Sequence, residues 1–174
     1  MNYHCWALFR VTMVVLLAIR PTSGQSIAAV ATGATTPTVT ILAASSGVAV
    51  RNLRANRASL DLGSVSYFQK RSAPGQSMSK NSKSFVISTR FALRVECPAS
   101  SSSSRVSVTM SRLDGDTLPA IRIDGKTLDS SAQTLIQSMS CGSDGEHRLD
   151  VDIPIVAPAG LLGSSIAFVA TLSR

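Results

Sequence analysis

The chain has 174 residues, of which 44% are hydrophobic, 16% charged and 5% aromatic, and its formal net charge is +7. This length fits one globular domain and leaves no room for a second of comparable size. The eleven glycines and the lack of a sustained heptad pattern exclude a collagen-like chain and a coiled coil. The frequent, regularly spaced apolar residues exclude a disordered chain.

Residues 1–24 have the pattern of a secretory signal peptide. A polar stretch carrying Arg10 precedes the apolar run VTMVVLLAI at residues 11–19, and a short polar segment follows it up to Gly24. The apolar run is about half as long as the roughly 18 to 20 residues that cross a bilayer, so a permanent anchor is the less supported alternative. We expect cleavage after Gly24, no stable membrane insertion, and an exported product in the periplasm, at the cell surface or outside the cell.

Residues 25–58 form an N-terminal extension ahead of the main domain, which we expect at residues 59–174. The extension is rich in Ala, Thr, Val and Ser and holds two short apolar alternations. It is therefore either a linker or a strand that pairs with a sheet.

The main domain shows a period of two, which is typical of strands with one face on a core. The clearest run spans residues 85–97, with Phe85 and Ile87 on one face and Ser88 and Arg90 on the other. The same alternation recurs in four further segments, at residues 106–110, 121–123, 149–155 and 166–172, and we expect a further short strand at residues 60–65. Short amphipathic strands separated by turn signals, such as Asp124-Gly125, predict an all-β fold, an antiparallel sandwich or barrel.

One segment departs from this pattern and predicts a single short helix. Its apolar residues share one helical face, and Ser130 with Gln133 matches a capping box, while Gly142 offers a terminator. The apolar residues of that face are Leu128, Ala132, Leu135, Ile136 and Met139.

The basic residues are unevenly placed along the chain. Nine basic residues and one acid lie between Arg51 and Arg94, whereas six basic residues and nine acids follow from Val95 onward. Residues 67–84 lack apolar periodicity and read as a long exposed loop. Its basic residues are candidates for binding a polyanion such as an acidic polysaccharide. They are Lys70, Arg71, Lys80 and Lys83.

Cysteine usage agrees with export, because Cys97 and Cys141 remain as an even pair once the signal is removed. We expect them to form a disulfide. Metal binding would need further ligands close by, and a redox pair is more often spaced as C-x-x-C.

The sequence offers little machinery for catalysis. His147 is the single histidine of the mature chain, so an exported hydrolase with a Ser-His-Asp site would have to use it. Metal-loop and phosphate-loop patterns are absent, as is a recognised nucleic-acid motif. We therefore expect a protein that is not an enzyme, with no metal, no cofactor and no nucleic-acid partner.

Two stretches resemble the group of the spore coat protein U and the chaperone-usher pilins. One is Leu60-Asp61-Leu62-Gly63, followed later by a long strand ending in Cys97. The other is Pro158-Ala159-Gly160, followed by a last strand that closes near the C-terminus.

The resemblance implies an immunoglobulin-like β-sandwich that lacks one strand and is completed by an extension of the next subunit. The apolar residues that such a donor strand would insert here are Val39, Ile41, Val48 and Val50. The leading expectation is a structural or adhesive surface protein, with itself or a related subunit as partner, that assembles by β-strand exchange. The alternative is a monomeric module whose basic loop captures an acidic glycan.

Overall fold

The structure is a computed structural model that describes residues 7–14, 36–54, 57–65, 74–99, 104–114, 119–157 and 161–173. The described residues form twelve β-strands in two sheets and no α-helix. The strands of the first sheet are β1 (Ala7–Val14), β3 (Val50–Arg54), β4 (Arg57–Val65), β7 (Arg105–Arg112), β10 (Gln133–Ser140) and β12 (Leu161–Ser173). Those of the second sheet are β2 (Thr38–Ala43), β5 (Gln76–Lys80), β6 (Ser84–Glu96), β8 (Ala120–Ile123), β9 (Lys126–Thr127) and β11 (Asp144–Pro154).

The second sheet has the order β2-β6-β11-β8-β9. The long strand β6 is its centre: β11 pairs along one side, while β2 and β5 share the other. All the described pairs are antiparallel. The alternation predicted for β6 is confirmed, since Ile87 and Phe91 are buried and Arg90 is exposed.

The first sheet has the order β10-β7-β12-β1-β4-β3. Its pairs are antiparallel except one, because β1 runs parallel to β12. The inward residues of both sheets form a single core, in which Phe91 of the second sheet and Phe168 of the first have ring centroids 6.1 Å apart. The molecule is therefore an all-β protein of two sheets packed on a shared core, as the period of two predicted.

The predicted short helix is wrong, because residues 133–140 form the strand β10. The pairing of β10 with β7 shifts register twice, between Thr134 and Ile136 and between Ile136 and Met139. A register shift changes which face the next residues occupy. These shifts space half-buried apolar residues three and four apart, which imitates a helical pattern in the sequence.

The long exposed loop expected at residues 67–84 is also interrupted. Residues 76–80 form β5, which pairs with β6 from Gln76 opposite Thr89 to Lys80 opposite Phe85. Backbone pairing along an edge requires no apolar periodicity, so the Ser-rich sequence of β5 gave no strand signal.

The Asp124-Gly125 hairpin is confirmed. Both residues have positive φ, 50° and 79°, and they connect β8 to β9. Both residues therefore adopt the backbone that this dipeptide favours in a two-residue turn.

The described part of the extension, residues 36–54, belongs to the two sheets. Val39, Ile41 and Val48 are buried in the shared core. The two sheets therefore include β2 and β3, which lie within the range that the sequence assigns to the extension.

Candidate functional site

The unusual feature of the first sheet is the position of β1, which comes from the segment that the sequence assigns to the export signal. β1 pairs in parallel with β12, from Leu8 opposite Leu161 to Met13 opposite Ile166. On its other side it pairs antiparallel with β4 along residues 7–14. A single segment therefore joins the two halves of this sheet.

The register of β1 aligns it with buried positions of its neighbours. Val11 lies opposite Leu60 of β4 and Ser164 of β12, both of which are buried. Two residues on, Met13 lies opposite Ala58 and Ile166, also buried. The register of β1 therefore brings its backbone alongside buried residues of both neighbouring strands.

Within the described residues β12 and β4 pair with β1 and not with each other. Without β1, each of them would present a row of unpaired N–H and C=O groups toward the other. Such an edge is a template for pairing with another strand. We call the space between β12 and β4 the strand slot.

An ion pair between buried Arg112 and more exposed Asp114 contacts β12 at Ser164, which lies opposite Val11 of β1. Arg112 of β7 is almost fully buried, and its Nε donates to Asp114 Oδ1 over 3.0 Å. Ser164 of β12 donates to the same oxygen over 2.9 Å, and Arg112 Nη1 donates to the carbonyl of Pro119 over 2.9 Å. Burial raises the pKa of Asp114, but the hydrogen bonds from Arg112 and Ser164 lower it by more than burial raises it. The pKa of Asp114 is therefore below its ordinary value. The charged pair therefore ties the turn after β7 to β12.

No protein-family model matches the chain, and no curated protein matches it either. Within the described ranges, no helix is long and apolar enough to span a membrane. The same ranges contain no group of three or more His, Cys, Asp or Glu side chains arranged to hold a metal ion.

The four donor-strand candidates belong to their own chain's sheets. Val39 and Ile41 lie in β2, which pairs with β6, and Val48 packs in the core. Val50 begins β3 and pairs with Leu60 of β4. A donor role for these residues in another copy would require β2 or β3 to leave its present neighbour.

The four polyanion candidates are not brought together as one described surface. Lys70 and Arg71 lie outside the described residues. Lys80 lies over the ring of Phe85, with its Nζ 5.5 Å from the centroid, and Lys83 is exposed in the turn after β5. The described part of the predicted basic loop thus carries two lysines close to one sheet edge.

The disulfide is present as predicted. Cys97 follows β6 and Cys141 follows β10, with their Cα atoms 5.6 Å apart and their sulfurs bonded. Because β6 and β10 belong to different sheets, the bond links one end of each sheet to the other. It serves as a covalent staple across the core.

His147 is buried and takes part in a pair that fixes the Asp124-Gly125 turn. Its Nδ1 lies 2.7 Å from Asp124 Oδ2, and the other carboxylate oxygen accepts from the backbone N–H of Arg148 over 2.8 Å. Its Nε2 is buried and has no hydrogen-bond partner among the described residues. Through its two oxygens the Asp124 carboxylate joins the turn after β8 to His147 and Arg148 of β11.

Sequence reasoning missed β1, although a signal for it is present. The residues Phe9, Val11 and Met13 alternate with Arg10 and Thr12, which is the pattern of a half-buried strand. The length and flanks of the whole apolar run point to an export signal, and that pattern concealed the alternation inside it. Residues 7–14 therefore fit both the pattern of an export signal and the alternation of a β-strand.

Proposed function

We propose that the protein is an exported structural subunit of a surface assembly, built on an immunoglobulin-like sandwich with one strand missing, and that copies join by β-strand exchange. The observation that carries the proposal is the position of β1 between β12 and β4. Residues 7–14 fall inside the predicted export signal. Cleavage after Gly24 would remove them and open the strand slot.

An open strand slot favours occupation by another strand for two physical reasons. The edges of β12 and β4 offer backbone groups that a new strand can pair. The buried residues on the two flanking strands, Leu60 and Ile166 among them, would gain cover from alternate apolar side chains of that strand. A matching strand needs about eight residues, which is the length of β1.

The donor proposed here is residues 25–35 of a neighbouring copy. This segment directly precedes the described residues that lead into β2, so a donor role for it does not require Val39 and Ile41 themselves to leave the core. It contains Ile27, Ala29 and Ala31 at every second position, with Val30 between them. Its eleven residues exceed the length of β1. Exchange through β2 itself, with Val39 and Ile41 inserted, remains the second form of the same proposal.

The test compares the protein lacking residues 1–24 with the full chain by light scattering after size exclusion, over a concentration series. We expect multimers from the shortened protein, and we expect a synthetic peptide of residues 7–14 to convert them to monomers. A peptide with Val11→Asp and Met13→Asp is the matched control and should have no effect. A shortened protein that stays monomeric and as stable as the full chain would overturn the proposal.

Two further variants of the shortened protein separate the two donor forms. Deletion of residues 25–35 should abolish multimers if that segment is the donor, while thermal unfolding of the monomer stays cooperative. Ile41→Asp should destabilise the monomer itself, because Ile41 is buried under its own β6. Multimers that persist without residues 25–35 would assign the exchange to β2.

A further inference from the structure

A polar cleft of about 380 Å³ opens on the outer face of the second sheet, away from the strand slot. The turn at residues 45–47 and the start of β5 form its walls, and β6 and β11 form its floor. Ser46 and Ser77 line the walls, and Arg90 and Arg148 line the floor. We call it the arginine cleft.

The walls of the arginine cleft are held at fixed spacing by the backbone. Buried Thr89 accepts from Val48 N over 3.1 Å and donates to the carbonyl of Gly75 over 2.7 Å, so one side chain holds both walls. Gly47 packs so closely that a Cβ there would lie 1.9 Å from the carbonyl oxygen of Arg90. At Gly75 a Cβ would lie 2.3 Å from the carbonyl oxygen of Gly47. This cleft is therefore a built feature rather than a gap between mobile side chains.

The two arginines face each other directly across β6 and β11. Like charges at opposed positions repel, and here each arginine also has a carboxylate neighbour, Asp150 for Arg148 and Glu146 for Arg90. Arg148 is oriented by hydrogen bonds from Nε to Asp150 Oδ1, 2.9 Å, and from Nη2 to Ser88 Oγ, 3.1 Å. The guanidinium of Arg90 has only a 3.6 Å ion pair with Glu146 and no hydrogen bond within the described part of the chain. The residues that line the cleft include no carboxylate.

We propose that the arginine cleft binds the anionic group of an acidic sugar, a carboxylate or a sulfate, held between Arg90 and Arg148. Paired guanidinium groups suit such oxyanions because each can donate two parallel hydrogen bonds. The hydroxyls of Ser46 and Ser77 are placed to bind the sugar's own hydroxyl groups. The volume lies in the range of about 300 to 1,000 Å³ that is usual for small-ligand sites. This site is independent of the strand slot and of the proposed assembly.

The test is calorimetric titration of the full chain with three tetrasaccharides: a carboxylated oligogalacturonide without sulfate, a sulfated kappa-carrageenan fragment without carboxylate, and neutral cellotetraose. We expect one or both anionic probes to bind and the neutral one not to bind. Their relative affinity assigns the anionic group to carboxylate or to sulfate. Equal binding of the neutral probe, or no binding of any probe, would overturn the proposal.

The matched control uses Arg94, which lies four residues after Arg90 on β6 and therefore on the same face of that strand. Arg94 carries the same charge, but its guanidinium is engaged by both oxygens of Asp144, at 2.7 and 2.8 Å. Arg90→Gln and Arg148→Gln should each weaken binding about tenfold or more, because each removes a charge-assisted hydrogen bond. Arg94→Gln removes the same charge at a distance that salt screens, and it should change affinity less than about twofold. Equal losses in all three variants would show diffuse attraction to the basic surface and contradict a site.

Arg148→Gln also removes a partner of Asp150, so its fold is checked by thermal unfolding. Arg90→Gln breaks no hydrogen bond of the described structure and keeps the comparison valid if Arg148→Gln is unstable. Arg90→Lys retains the charge but loses the paired donors, and we expect it to bind more weakly than the unmodified protein.

Discussion

The two sheets share one core but differ in how they are completed. The second sheet is formed by residues downstream of 37, and its described strand pairs are all antiparallel. The first sheet depends on β1, which lies between β12 and β4 and comes from the predicted export signal. One sheet is therefore complete within the predicted mature chain, whereas the other would need a strand from outside it.

Because of this difference, we expect the removal of residues 1–24 to affect the first sheet more than the second. The second sheet carries the long strand β6 and the buried Phe91, and none of its strands pairs with β1. In the first sheet, the buried residues Leu60 and Ile166 lie next to whichever strand occupies the strand slot. The core residues of the two sheets should therefore respond differently when residues 1–24 are removed.

The largest expected effect comes from the staple that joins the sheets. Replacing Cys97 and Cys141 together by Ser should lower the free energy of unfolding by about 4 kcal/mol, because the bond closes a loop of 44 residues in the unfolded chain. Denaturant unfolding measures the loss. It should be similar with and without residues 1–24, since neither cysteine borders the strand slot. A loss confined to the full chain would contradict the separation of the staple from the strand slot.

A paired core truncation tests the comparison directly. In the full chain, Leu60→Ala and Ile87→Ala should each cost about 3 kcal/mol, because both side chains are fully buried. In the dilute monomer lacking residues 1–24, the cost of Leu60→Ala should fall to about half or less, since the area it buries shrinks when its cover is lost. The cost of Ile87→Ala should not change.

Denaturant unfolding of six proteins, the unsubstituted protein and the two variants in each chain length, gives the cost of each substitution in both forms. A constant cost for Leu60→Ala in both forms would mean that another part of the same chain closes the strand slot. That result would also remove the reason for exchange between copies.

The strands that the sequence predicted are those in which one face is apolar and the register is regular. β6, β7, β8 and β11 show this pattern, and the alternation of Phe85 and Ile87 with Ser88 and Arg90 is reproduced in their burial. β10 was predicted as a helix because its two register shifts fall between apolar residues. Local periodicity cannot report a shift that only the neighbouring strand defines.

The candidate sites depend on contacts that no local pattern contains. Arg90 and Arg148 are far apart in the chain and become opposed through the register of β6 with β11. The strand slot likewise joins residues 7–14 to strands that begin at Arg57 and Leu161. The sequence could suggest that an extension fills a missing strand, but it assigned that place to residues 25–58 rather than to the export signal.

A smaller effect is expected at the turn that belongs only to the second sheet. Asp124→Ala removes an acceptor from buried His147 and from the backbone N–H of Arg148. The unpaired groups should cost about 2 kcal/mol of unfolding free energy, equally in the full chain and in the form lacking residues 1–24. The exposed pair between Asp144 and Arg94 is the control, and Asp144→Ala should cost clearly less because solvent screens it. A cost for Asp124→Ala that depends on residues 1–24 would show that the two sheets are coupled through this turn.

The smallest effect is expected at Asp114, which ties β7 to β12 beside the strand slot. Asp114→Asn keeps an oxygen for Arg112 and Ser164 but removes the charge, so it should cost about 1 kcal/mol near neutral pH. The pKa of Asp114 is lower in the folded chain than its ordinary value of 3.8. The stability that its charge contributes is therefore complete above the unfolded pKa and is lost as the pH falls through the folded one.

We would measure the free energy of unfolding of the unsubstituted protein and of Asp114→Asn between about pH 7 and pH 2. The gap between the two free energies should be constant near neutrality and should narrow in acid. Asp61→Asn is the control, because Asp61 is exposed and, within the part of the chain that the structure describes, accepts from the backbone N–H of Gly63. A gap that stays constant to the lowest pH would mean that the charge of Asp114 contributes nothing to holding β12. If the gap narrows as expected, Asp114 stabilises β12 by its charge, and this is the strand edge that any partner strand must pair with.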